Sequence, residues 1–78
     1  MHIAGVVLRV QPQRIEEVCK SMTGLEGVEL HAVDNDGRLV VTIEGEERQE
    51  VADSIFKLDS LKYVLSSSMV YEESETDH

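Results

Sequence analysis

Val28-Glu29-Leu30-His31-Ala32-Val33, the turn Asp34-Asn35-Asp36-Gly37 and Arg38-Leu39-Val40-Val41-Thr42-Ile43-Glu44 form the stretch whose pattern decides the fold. Apolar and polar residues alternate on both sides of the turn, the period of a half-buried strand, and Asp36-Gly37 tolerate the positive φ of a tight connection. An antiparallel hairpin follows. Upstream lie an apolar stretch, His2 to Val10, and a helical pattern, Gln13 to Met22. Downstream, a helical pattern spans Glu47 to Lys57 and an extended segment spans Tyr63 to Tyr71. The hairpin thus joins two strand-helix-strand halves, and the whole reads βαββαβ. Right-handed crossovers bring such halves together as an α+β ferredoxin-like sandwich: a four-stranded antiparallel sheet with both helices on one face.

The periodicities assign the faces. In the first strand Ala4, Val6, Leu8 and Val10 should meet the helices, while Ile3, Gly5, Val7 and Arg9 look away. Pro12 suits a helix start. Ile15, Val18, Cys19, Met22 and Leu25 form the buried stripe of the first helix, and Val51, Ala52, Ile55, Phe56 and Leu58 that of the second. For the last strand the larger set, Leu65, Ser67, Met69 and Tyr71, is assigned to the core. Helices on one side leave the other sheet face open, and that face is unusually apolar. It is expected to carry Ile3, Val7, Val33, Val40, Val64 and Val70, with small Gly5, Ser66 and Ser68 between them. An apolar patch rimmed by charge marks a partner site more often than an accident. The candidate binding set is Ile3, Gly5, Val7, Glu29, His31, Val33, Val40, Thr42, Glu44, Ser66, Ser68 and Val70.

Composition narrows the partners. Sixteen acidic residues against seven basic ones give 78 residues a net charge of -9. That charge repels nucleic acid and anionic lipid and favours cationic ligands. A chain this short is one small domain, expected over residues 1–72, with 73–78 as an acidic disordered tail. No apolar run approaches the roughly 20 residues of a membrane span, the N-terminus lacks a basic export-signal segment, and lone Cys19 has no disulfide partner. A cytoplasmic setting is the expectation.

Catalysis has no visible home. His2, His31 and His78 have no metal-ligand spacing, and Cys19 sits on an apolar stripe where a thiol acts as a small hydrophobe. Gly24-Leu25-Glu26-Gly27 lacks the Lys and Ser/Thr of a phosphate loop. No enzyme activity, metal or cofactor is therefore expected.

Several segments carry a family resemblance. Ile3-Ala4-Gly5-Val6-Val7-Leu8-Arg9-Val10, Arg14-Ile15, Gly27-Val28-Glu29-Leu30, the run Asp36 to Glu44 and the run Val64 to Glu72 resemble, in colinear order, the NapD family of assembly chaperones for periplasmic nitrate reductase. The resemblance implies a cytoplasmic, non-catalytic, ferredoxin-like protein. Such a protein binds the twin-arginine signal peptide of the nitrate reductase catalytic subunit and restrains export until cofactor insertion is complete. It implies no catalytic residues, and the site remains the open-face set, in a monomer or weak dimer. The residues themselves also admit a different class: a small ferredoxin-like regulatory domain that dimerises and binds a small-molecule effector.

Overall fold

The computed structural model describes residues 1–75. In chain order it contains β1 (His2–Val10), a single 3-10 turn (Pro12–Arg14), α1 (Ile15–Met22), β2 (Val28–Asp34), β3 (Arg38–Gly45), α2 (Arg48–Asp59) and β4 (Val64–Ser74). The strands form one sheet in the order β2-β3-β1-β4, and every neighbouring pair is antiparallel. This is the ferredoxin-like arrangement expected from the sequence.

The core lies between the helices and one sheet face. β1 contributes Ala4, Val6, Leu8 and Val10, β3 contributes Leu39, Val41 and Ile43, α1 contributes Val18 and Met22, and α2 contributes Val51 and Leu58. Both central strands bury the parity that their alternation predicts. They pair without interruption from His2↔Gly45 to Arg9↔Arg38. Ile15, Cys19, Leu25 and Val28 pack around the α1 end of this core, and Ile55, Leu61, Tyr63 and Val64 around the α2 end.

Three expectations need correction. Phe56 is 73% exposed and Ala52 is exposed too, because the α2 stripe follows Val51, Ile55 and Leu58, and the adjacent row of a helix turns about 100° away. The β4 parity is broken by two bulges, so that Leu65 and Val70 are extra residues with no partner in β1. Val64 consequently faces Val10 and packs on the core, Ser67 and Met69 lie on the helix side as expected, and Tyr71 crosses to the open face. In the hairpin only Gly37 has positive φ, so Asp36 does not need that freedom; a three-residue loop with glycine in the left-handed position closes the turn. His2 opens β1 as the apolar stretch predicts, with Nδ1 2.8 Å from Ser74 Oγ, and β4 runs to Ser74. Of the expected tail, 76–78, with His78, lie outside the described residues.

Glycine is required at the close approaches. A Cβ at Gly37 would collide with the carbonyl oxygen of Val10, whose own N–H donates to Gly37 O at 2.8 Å. At Gly27, φ is +78° and a Cβ would collide with the Glu44 carbonyl. Tyr63 has φ +74° as well, a conformation that bulky L-residues rarely adopt.

Candidate functional site: the open sheet face

Directly paired residues of neighbouring strands point to the same side of a sheet, so register alone assembles the open face. Four rows cross it, running in part or whole from β2 to β4. The first is Asp34, Arg38, Arg9 and Ser66; the second is Ala32, Val40, Val7 and Ser68. The third is Glu29, Thr42, Gly5 and Tyr71, and the fourth is Glu44, Ile3 and Glu73. The centre is apolar or small, and charge lies at the two ends.

Gly5 explains how the centre is paved. It sits mid-strand in β1, and the space where its side chain would stand holds the ring of Tyr71. The β4 bulge at Val70 makes this possible by flipping Tyr71 onto the open side. His31 is the extra residue of a third bulge, between Leu30 and Ala32, and its Nε2 is 2.6 Å from Thr42 Oγ1. That hydrogen bond holds the imidazole on the open face.

The structure brings together most of the expected set: Ile3, Gly5, Val7, Glu29, His31, Val40, Thr42, Glu44, Ser66 and Ser68 share this face. Val33 does not join them. The bulge at His31 reverses the β2 parity, so Val33 pairs with buried Leu39 on the helix side while Ala32 takes its place. Val70, 60% exposed, is a bulge residue without a β1 partner. Sequence reasoning missed Tyr71, Glu73 and Ala32. A glycine at the middle of a central strand signals a missing side chain that an aromatic neighbour can cover, and that was the readable trace of Tyr71.

Electrostatics follow the rows. Glu29, Glu44 and Glu73 are all exposed and take part in none of the ion pairs among the described residues. Beside Glu44 opens a cleft of about 530 Å³ whose lining includes Glu26, Glu46, Glu50 and Asp53, with Lys57 the one side-chain cation. The opposite end carries Arg9 and Arg38, the latter 3.7 Å from Asp36. Cys19 lies away from this face against the core, and desolvation pushes its thiol above the ordinary value, further from the reactive thiolate. Among the described residues no helix is long and apolar enough to cross a membrane, and no three His, Cys, Asp or Glu side chains are placed to hold a metal.

Comparison with known proteins adds a lineage to this geometry. Among solved structures, the solution structure of the Tat proofreading chaperone NapD from E. coli matches with a TM-score of 0.84 at 23% identity, covering 97% of this chain and 81% of that one. At that identity the likeness is one of fold. No curated protein matches the sequence. A family model described as NapD protein matches residues 1–76, and on a match spanning almost the whole chain, this protein belongs to the NapD family.

Proposed function

We propose that this protein is a cytoplasmic proofreading chaperone. It binds the twin-arginine signal peptide of the periplasmic nitrate reductase catalytic subunit and holds back export until cofactor insertion is complete. The observation that carries the reading is the open face itself: an apolar centre of Val7, Val40, Ala32 and Tyr71, bordered by carboxylates that enter no ion pair among the described residues, in a NapD family member. A twin-arginine signal peptide joins a basic segment to an apolar one, and both halves find a counterpart on this surface. The apolar segment contributes about 25 cal/mol per Å² of buried apolar surface before ordering costs are subtracted. Carboxylates select arginine through its planar, forked set of donors. A peptide disordered in solution would order on the face and be masked from the export machinery while bound. The protein works without a cofactor and performs no reaction.

Calorimetric titration with a synthetic twin-arginine signal peptide, beside a control carrying two lysines, tests the proposal. Tight one-to-one binding that weakens with the lysine peptide is expected. The Val40→Asp variant should lose affinity yet melt as a folded domain, because Val40 lies on the outer face of a regular central strand. Absence of binding in the unaltered protein would remove this function and favour a dimeric, effector-binding domain instead.

A further inference from the structure

We infer that the signal peptide occupies the open face in one direction only, with its arginine pair over Glu29, Glu44 and Glu73 and its apolar stretch running toward Arg9 and Arg38. The inference rests on the signal-peptide reading and adds an orientation to it. Along β1 the face runs from Ile3, paired with Glu44 and Glu73, to Arg9, paired with Arg38 and Ser66. Six residues of strand separate the ends, about 20 Å at ~3.3 Å per residue. Charges in water at physiological salt are screened over about 8 Å, so a bound cation senses one end or the other, not their average.

The two ends are therefore distinct environments. At the Ile3 end Glu29, Glu44 and Glu73 are exposed and enter none of the ion pairs among the described residues; at the same end of the molecule, on the helix side of the sheet, a cleft is lined by Glu26, Glu46, Glu50, Asp53 and Lys57. A guanidinium arriving there gains charge-assisted contacts without breaking an existing pair. At the other end two arginines already face each other across β1 and β3, Asp36 is engaged by Arg38, and Asp34 stands opposite Arg38 at the β2 edge as the one carboxylate of that row. An arginine pair placed there would meet like charge. Between the ends, Val7, Val40 and the Tyr71 ring over Gly5 give a continuous apolar track for the segment that follows the arginines. The reverse orientation would set the ligand's cations beside Arg9 and Arg38 and leave Glu29, Glu44 and Glu73 unused.

Nitroxide labels on the peptide read the direction. Isotope-labelled full-length protein is titrated with a synthetic signal peptide labelled either just before its arginine pair or at the far end of its apolar stretch. The first label should broaden the amide resonances of Ile3, Glu44 and Glu73; the second, those of Arg9, Arg38 and Ser66. Interchanged patterns, or both labels broadening both ends equally, would overturn the single direction while leaving signal-peptide binding intact. No shift of any resonance on adding peptide would overturn the chaperone reading and the direction together. As a second measurement, Glu44→Gln combined with Glu73→Gln should weaken binding about tenfold, whereas Arg9→Gln combined with Arg38→Gln should not weaken it. The opposite ranking of the two double variants would contradict the inference.

Discussion

The two helix-to-strand connections solve one geometric problem with different residues. Offset by 36 positions, Ile15, Cys19, Met22, Leu25 and Val28 of the first half correspond to Val51, Ile55, Leu58, Leu61 and Val64 of the second, and all ten are buried or partly buried against one core. In both, the residue just before the returning strand is left-handed: Gly27 at φ +78° and Tyr63 at φ +74°. In both, its carbonyl accepts from the end of the neighbouring central strand, Gly27 O from Glu44 N at 2.9 Å and Tyr63 O from Gln11 N at 3.0 Å. What differs is the space around Cβ. The Glu44 carbonyl blocks it at position 27, whereas at 63 the tyrosine ring packs on the core with the Arg14 guanidinium 4.9 Å from its centroid. A left-handed turn therefore requires glycine only where backbone crowds it; elsewhere a side chain can offset the conformational cost by packing.

Substitutions at the paired positions put this comparison at risk. Gly27→Ala should destabilise the domain most, by about 2–4 kcal/mol in urea unfolding, since left-handed strain of roughly 1–2 kcal/mol is compounded by the collision with Glu44. A loss below about 1 kcal/mol would mean that the Glu44 carbonyl moves aside easily. At position 63, alanine and glycine both remove the ring, so their difference isolates the backbone: Tyr63→Gly should be more stable than Tyr63→Ala by about 1 kcal/mol. Equal stabilities would show that position 63 stores no strain. Phe56 corresponds to Lys20, and both are exposed. Phe56→Lys should therefore leave the unfolding midpoint within about 0.5 kcal/mol of the parent, the smallest effect of the three.

The central and edge strands differ in how much of them the sequence discloses. β1 and β3 read correctly residue by residue, because each is hydrogen-bonded on both sides and an unbroken register preserves strict alternation. β2 and β4 are edges, and each carries bulges: at His31 in one, at Leu65 and Val70 in the other. A single extra residue reverses the parity of everything beyond it, which is why Val33 left the open face and Tyr71 joined it. No local composition announces such an insertion, since His31, Leu65 and Val70 are all ordinary strand residues. Bulges at an edge also interrupt the row of free backbone groups that would otherwise template another strand. Phe56 was misplaced for a different reason. Its apolar character outweighed a helical phase that Val51, Ile55 and Leu58 already satisfied. The candidate site was legible where it lies on β1 and β3, and its β4 half depended on a bulge.

The Tyr71 ring over Gly5 also has a spectroscopic meaning. The chain has two tyrosines and no tryptophan, so a large part of its intrinsic emission originates on the open face. A ligand carrying one tryptophan would draw excitation energy from that ring on contact, and occupancy of the face can thus be watched by light in the unlabelled protein. The filled gap in β1 doubles as an optical reporter at the centre of the proposed binding surface.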